Sequence, residues 1–168
     1  MTTYSHSKLG TFQQCKYKYK LQYVDKIKTD LESIEAFMGK RVHEALEKLY
    51  KDLKFQKLNS KKVLFAFYEQ EWDKYWHDKI VIVKKEYTHK NYRAMGKKFI
   101  EDYYDHYKPF NHRTVIDVET QDKMELADGN QYHIRIDHLA CDKEGNYYVC
   151  DYKTNSSLKP QEELDEDH

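Results

Sequence analysis

The chain has 168 residues, of which 39% are hydrophobic, 15% aromatic and 35% charged, and its formal net charge is zero. This length allows one domain with a buried core and leaves little room for two. The sequence contains no apolar run of about 18 residues and no signal-peptide pattern, which excludes a membrane span and an export signal. We therefore expect a single cytoplasmic domain over residues 1–168 with no membrane association.

The charges are unevenly distributed along the chain. Residues 1–62 contain 14 Lys and Arg against 7 Asp and Glu, whereas residues 117–168 contain 5 against 14. A basic first third suits a polyanion, and an acidic last third suits divalent cations. Solvated helix faces and an acidic tail would produce the same counts, so composition leaves both interpretations open.

Residues 1–28 are predicted to form short basic helices, with Ser5 or Ser7 as the N-cap. Lysines alternate here with aromatic residues that are able to stack on bases. The candidate nucleic-acid-binding residues of this segment are Lys16, Tyr17, Lys18, Tyr19 and Lys20.

Residues 34–108 are predicted to be helical. Val42, Leu46, Leu49 and Leu53 recur at helical spacing, which predicts a helix over Ile34–Leu58. Further helices are expected at 61–79 and 86–107, after a break at Asn59 and Ser60 and before Pro109, which cannot continue a helix.

Residues 112–155 change to β-rich composition. Three strands are predicted, Thr114–Met124, Gln131–Cys141 and Tyr147–Lys153, separated by two turn segments rich in Asp, Asn and Gly. The final residues, 156–168, are too polar to pack and are expected to form a tail. The fold class is therefore α+β, with a helical N-terminal half followed by a three-stranded β-meander that carries the candidate site.

The last two strands bring acidic residues together. Asp151 and Lys153 lie two residues apart and share one face of a strand. Asp137 lies about equally far from the Asp142–Asn146 turn, so it is expected to face Asp151 across the hairpin. Facing carboxylates repel, and a divalent cation such as Mg²⁺ keeps both ionised. A surface Asp–Lys pair on an exposed strand is the alternative interpretation.

Three stretches together resemble the RecB-like PD-(D/E)XK nucleases. IRIDHLACDKEGNYYVCDYKT is similar to the motif pair of that family, an "xIDxL" strand followed by "DYKT". YSHSKLGTFQQCKYKYKLQYV resembles its N-terminal helix, and GKRVHEALEKL its Gly-x-x-x-His helix. The resemblance implies an α/β restriction-endonuclease-like core.

The resemblance also assigns roles to individual residues. It implies that Asp137 and Asp151 are metal ligands, together with the backbone carbonyl of Tyr152, and that Lys153 positions the attacking water or stabilises charge. His43, which lies at the edge of the apolar stripe of its helix, becomes an additional ligand. A packed edge histidine is the alternative.

Glu119 is a weaker metal-ligand candidate, on the strand where relatives often carry an acidic group. The chain departs from the family at Ile134 and His138, where relatives commonly have Gly and Arg, and it ends before the Gln-x-x-x-Tyr helix of that family. We expect a fragment that lacks the C-terminal part of the fold.

The resemblance implies a Mg²⁺- or Mn²⁺-dependent deoxyribonuclease, with exonuclease action favoured over endonuclease action. DNA is the expected partner, with repair or CRISPR-linked proteins as further partners. A non-cleaving nucleic-acid-binding protein, or an inactive fragment with the same fold, is the alternative. Some relatives hold an iron–sulfur cluster through an N-terminal Cys and three C-terminal ones. The latter are absent here, so we expect Cys15, Cys141 and Cys150 to be free thiols without a cluster.

Overall fold

A computed structural model describes residues 2–154 of the chain. Helices dominate its first two thirds and strands the remainder, which confirms the α+β prediction. The polar tail predicted at 156–168 lies outside the described residues. In chain order the elements are β1 (Thr3–Ser5), α1 (His6–Gln14), α2 (Lys16–Tyr19), a π-helical turn (Lys20–Val24), β2 (Glu32–Ser33), α3 (Ile34–Lys54), α4 (Lys61–Tyr75), β3 (Ile80–Val81), α5 (His89–Tyr107), β4 (Thr114–Glu125), β5 (Gln131–Cys141) and β6 (Tyr147–Cys150).

Helix α3 forms the centre of the core. The side chain of Ser33 caps its first turn by accepting a hydrogen bond from the Ala36 amide. Its buried residues, including Phe37, Val42, Leu46 and Leu49, face α4, α5 and β4. The helix ends at Lys54, four residues before the predicted end. The helix stops earlier because the predicted continuation reaches solvent. Phe55 is 81% exposed there, and no apolar surface of the described residues covers its side chain.

Helices α4 and α5 pack against α3. The predicted break before α4 is confirmed, since Ser60 caps α4 and the buried Asn59 side chain donates to Asp52. The two helices approach closely at Gly96, where a Cβ atom would lie 2.1 Å from the hydroxyl oxygen of Tyr68. Gly96 therefore permits this contact between α4 and α5.

Strand β5 is central in the main sheet. It pairs with β4 in antiparallel fashion along almost its whole length. Its other edge receives two short strands, the parallel β1 at residues 131–133 and the antiparallel β6 at residues 138–141. The meander is confirmed, while β1 was not predicted from the sequence.

Local interactions determine the conformation of the turns and the point where the meander ends. Gly129 and Gly145 adopt positive φ values of 77° and 87°, which glycine tolerates. Strand β6 ends at Cys150, three residues before the predicted end at Lys153. The amide of Tyr152 donates to the carboxylate of Asp137 rather than continuing the ladder. The residues expected on the strand therefore form an irregular segment beside the Asp137 side chain.

Helices α1 and α2 and the π-helical turn contain no buried residue. The ring of Tyr19 packs between Phe12 and Tyr23, with a distance of 5.2 Å to each ring centroid. The apolar residues Val24 and Ile27, each 61% exposed, lie in or just after the turn. This N-terminal unit is thus held together by its own aromatic contacts and contributes nothing to the core.

Candidate metal centre

Asp137 lies on β5 and is only 7% exposed. Its Oδ2 atom accepts a hydrogen bond of 2.8 Å from the amide of Tyr152. The same oxygen lies 3.6 Å from Nδ1 of His43. A buried carboxylate is costly unless it is hydrogen-bonded or paired, and Asp137 has both kinds of partner.

Glu119 lies across from Asp137 on the neighbouring strand. In the β4–β5 register Val118 pairs with His138 and Thr120 pairs with Ile136, which places Glu119 opposite Asp137. Glu119 adopts a φ of 53° in the middle of a strand. Non-glycine residues in this left-handed region store strain, which is frequently found at functional sites. The Arg135 guanidinium, 2.8 Å away, compensates the charge of Glu119.

His43 reaches the same place from α3. Its Nε2 atom lies 2.9 Å from the carbonyl oxygen of Tyr152. When His43 is neutral and donates its Nε2–H to this carbonyl, the lone pair of Nδ1 faces Asp137. Metal-binding histidines commonly use one ring nitrogen for the ion and donate the other to a carbonyl or carboxylate. The contact with Tyr152 therefore orients His43 as a ligand would be oriented.

Together, His43, Glu119 and Asp137 form a possible metal site. Each offers one ligand atom, and these atoms all lie within 4.8 Å of one another. Two carboxylates and one imidazole from three separate elements suit a divalent cation such as Mn²⁺ or Mg²⁺. The residues present therefore fit a divalent ion by the chemistry of their donor atoms.

Asp137 and His43 each favour the charged form of the other. Burial raises the pKa of the Asp137 carboxyl, but contacts with His43 and with the Tyr152 amide outweigh burial and hold this pKa below its ordinary value. Interaction with Asp137 outweighs burial at His43 and raises the pKa of the imidazole. A divalent ion bound between Asp137 and His43 would supply the positive charge that a proton on His43 otherwise supplies.

The remaining three candidates are not part of this cluster. The carbonyl of Tyr152, expected as a metal ligand, contacts Nε2 of His43. The side chains of Asp151 and Lys153 are 59% and 67% exposed and form an ion pair with each other. The carboxylate of Asp151 was expected to face that of Asp137, and the register of β6 points in that direction because His138 pairs with Cys150. The ladder stops one residue earlier, and the carboxylate of Asp151 is not part of the group of ligand atoms within 4.8 Å of one another that His43, Glu119 and Asp137 form.

A sequence profile of the PD-(D/E)XK nuclease superfamily matches residues 3–168 of the chain. The chain belongs to this superfamily. No curated protein matches the sequence significantly. Membership supports the restriction-endonuclease-like fold and points to a metal-dependent nuclease, whose substrate is nucleic acid. Glu119 and Asp137 lie on β4 and β5 and His43 lies on α3, and all three are among the residues that the resemblance suggests as metal ligands.

The basic candidates of the PD-(D/E)XK chain lie in the exposed N-terminal unit. Lys16 and Lys18 are exposed on α2, and Tyr17 beside them is 68% exposed. Lys20 is 3.1 Å from Asp25, and Tyr19 is partly covered by its ring contacts. The ammonium groups of Lys16, Lys18 and Lys20 and the ring of Tyr17 thus remain accessible to solvent.

Two further features of this PD-(D/E)XK chain concern the cysteines and the helices. Cys15 is exposed, while Cys141 and Cys150 are half-buried, and all three are free thiols. Within residues 2–154, no helix is both long and apolar enough to cross a membrane.

Proposed function

We propose that this chain is a divalent-metal-dependent deoxyribonuclease of the RecB-like branch, acting in the cytoplasm in DNA repair, recombination or a CRISPR-linked system. Exonuclease action is favoured over endonuclease action. The observation that carries the proposal is the convergence of His43, Glu119 and Asp137 within 4.8 Å, in a chain of the PD-(D/E)XK superfamily.

The proposed chemistry divides into binding and positioning. A bound Mg²⁺ or Mn²⁺ would polarise the scissile phosphate and lower the pKa of its bound water. His43, Glu119 and Asp137 would hold the ion, with the Tyr152 carbonyl fixing the ring of His43. Asp151 is exposed at the edge of this cluster and would supply a further carboxylate. Lys153, released from Asp151, would then stabilise the hydroxide or the developing charge.

Cleavage of a labelled DNA strand in Mn²⁺ tests the proposal, with EDTA as the blank. The Asp137→Asn and Glu119→Gln variants should no longer cleave DNA and should bind Mn²⁺ more weakly, as measured by calorimetry. Asp128→Asn is a matched control, because Asp128 lies in the exposed turn before β5 and is satisfied by Asn130. Cleavage that survives in Asp137→Asn, with contaminating nuclease excluded, would contradict the proposal.

One observation favours a second candidate function, a nucleic-acid-binding protein that does not cleave. Asp151 and Lys153 neutralise each other at the surface, outside the cluster that would hold the ion. If this pair persists in the presence of the ion and DNA, the chain lacks a lysine at the reacting phosphate. DNA binding without cleavage in Mn²⁺ would support this candidate.

A further inference from the structure

A cleft of about 580 Å³ opens beside the candidate metal centre. Two of its lining residues, Asp151 and Tyr152, belong to the segment after β6, and a third, His138, follows Asp137 on β5. The backbone of Tyr152 contacts both Asp137 and His43. The cleft and the metal centre therefore adjoin each other at Tyr152.

Aromatic rings dominate the walls of the cleft, which are formed in part by Tyr50, Tyr103, Tyr107 and Phe110. Tyr107, at the end of α5, is 43% exposed, so its ring is accessible from solvent. Flat rings in a cleft of this volume suit a flat aromatic ligand, and nucleobases stack on tyrosine with little regard to sequence.

The rim of the cleft offers one guanidinium and two imidazoles. Arg113, His106 and His112 line it and are exposed, and the guanidinium of Arg113 is held 3.6 Å from the centroid of the Tyr148 ring. The carboxylate that lines the cleft is Asp151, and it is paired with Lys153. This charge pattern favours a ligand that carries phosphate next to an aromatic ring.

Two lining residues of the cleft contain buried polar atoms whose hydrogen-bonding capacity is unused. His138 is 4% exposed and Tyr152 is 7% exposed. Both ring nitrogens of His138 and the hydroxyl of Tyr152 have no hydrogen-bond partner among residues 2–154. Buried polar atoms without partners are rare in proteins and call for an explanation such as strain, a catalytic role, or a bound water or ion.

We infer that this cleft binds one unpaired nucleobase of the strand whose phosphate lies at His43, Glu119 and Asp137. The inference rests on the proposed function and specifies its substrate, a single strand or a frayed end. Both faces of a base inside a duplex are covered by its neighbours, so stacking on Tyr107 requires a base that has left the duplex. The chain should therefore bind a single strand more tightly than a blunt duplex of the same sequence.

Fluorescence of 2-aminopurine tests the inference, because stacking on an aromatic ring quenches this base. The full chain is titrated into short single strands that carry the probe at successive positions, with Ca²⁺ in place of Mn²⁺ and the strands checked for cleavage. We expect quenching at one position near the strand end and weaker binding of the blunt duplex.

Two variants and one control locate the stacking. Tyr107→Leu should remove the quenching and weaken single-strand binding at least about fivefold. Arg113→Gln, at the rim, should weaken binding while quenching of the bound strand remains. Tyr87→Leu is the control, because Tyr87 is similarly exposed, at 39%, and does not line the cleft. Circular dichroism checks that each variant is folded. If Tyr107→Leu does not fold, Arg113→Gln still tests whether the cleft contributes to strand binding.

The outcomes separate the inference from the proposed function. If the strand binds without quenching at any position, or if neither Tyr107→Leu nor Arg113→Gln changes binding, the inference is overturned and the cleft is a packing or protein-docking surface. Calorimetric Mn²⁺ binding and cleavage by the same wild-type protein would leave the proposed function standing. Quenching that persists in a protein that neither binds Mn²⁺ nor cleaves would support the cleft and contradict the nuclease.

Discussion

The Nε2 atom of His43 lies 2.9 Å from the carbonyl oxygen of Tyr152, which joins two residues 109 positions apart. The amide of the same Tyr152 donates to the carboxylate of Asp137. One peptide segment therefore orients both an imidazole and a carboxylate of the candidate metal centre. This arrangement also holds Asp151 and Lys153, the two neighbours of Tyr152, at the edge of the centre although both side chains are exposed.

We expect Asp137→Ala, Asp151→Ala and Lys153→Ala each to abolish metal-dependent cleavage while the fold is retained. The three residues would act as one unit, so the loss in a double variant should be no larger than in a single one. Lys153→Ala should leave Mn²⁺ affinity near the wild-type value, because removing a cation does not remove a ligand. Turnover of labelled DNA and calorimetric Mn²⁺ binding separate the two effects.

Lys143→Ala is the matched control for Lys153→Ala, since Lys143 is an exposed lysine in the turn between β5 and β6. Its cleavage rate should equal that of the wild type. A Lys153→Ala protein that cleaves as fast as this control would show that the lysine of the motif does no chemistry here.

Lys16, Lys18 and Lys20 should contribute to DNA binding by pairing with backbone phosphates. Each lysine that no longer pairs with a phosphate should reduce the slope of log affinity against log salt by about 0.7 to 0.9. The triple Lys→Gln variant should therefore show a flatter salt dependence in fluorescence anisotropy. The control carries Gln at Lys84, Lys85 and Lys90, which are also exposed but lie just before and at the start of α5. Equal slopes for both triple variants would mean that the α2 lysines only solvate the helix.

Gly96→Ala should destabilise the fold. The added methyl group would lie 2.1 Å from the hydroxyl oxygen of the fully buried Tyr68, whose side chain has no free space to move into. Overpacking of this kind costs about 1–3 kcal/mol of unfolding free energy. Gly10→Ala is the control, because nothing lies within 4 Å of a Cβ at that helical position. Urea denaturation of both variants measures the difference, and equal midpoints would contradict the close packing of α4 against α5.

The long elements could be predicted from the sequence because their patterns are periodic over many residues. The apolar repeat that begins at Val42 located α3, and β5 was predicted with the observed bounds Gln131–Cys141. The short strand β1 could not be predicted, because its three residues form a strand only by pairing with β5.

The candidate site shows the same division. Asp137 and His43 were found by motif, and the structure brings them together. Glu119 was the weakest candidate because its position depends in part on its own positive φ, which the sequence does not display. Asp151 was expected opposite Asp137 because the sequence does not show where β6 ends. A residue-by-residue register of β4 against β5 would have paired Glu119 with Asp137 in advance.

The pH dependence of metal binding separates the two interpretations of His43. As a ligand, His43 must be neutral, and interaction with Asp137 raises its pKa above the ordinary value of about 6.5. Protons therefore compete with Mn²⁺ more strongly at pH 6 than at pH 8, so Mn²⁺ affinity should rise between these values. His43→Ala should weaken Mn²⁺ binding at pH 8 on the order of tenfold or more and should flatten the pH dependence.

The contribution of His43 to stability without metal should change in the opposite direction to the metal affinity. A raised His43 pKa contributes stability that is fully present below the unfolded pKa and is lost as pH rises through the folded pKa. The lowered pKa of Asp137 contributes stability that is lost only when pH falls through its folded value, well below this range. In EDTA the His43 contribution to the thermal midpoint should thus fall from pH 6 to pH 8, whereas burial lowers the pKa of His138 to about 4, which makes its contribution rise over the same range. Compared with the wild type, the midpoint of His43→Ala should therefore rise more, or fall less, from pH 6 to pH 8.

Calorimetric Mn²⁺ titrations at pH 6 and 8, paired with thermal midpoints in EDTA, measure both effects for the wild type, His43→Ala and the control His89→Ala. His89 is exposed at the start of α5, and its loss should change neither quantity. If His43 is only a packed residue, His43→Ala should instead cost about 1 kcal/mol of stability at both pH values and leave Mn²⁺ affinity unchanged. That result would remove the histidine from the centre and leave a cage of carboxylates, because the other members of the cluster, Glu119 and Asp137, do not depend on an imidazole to bind an ion.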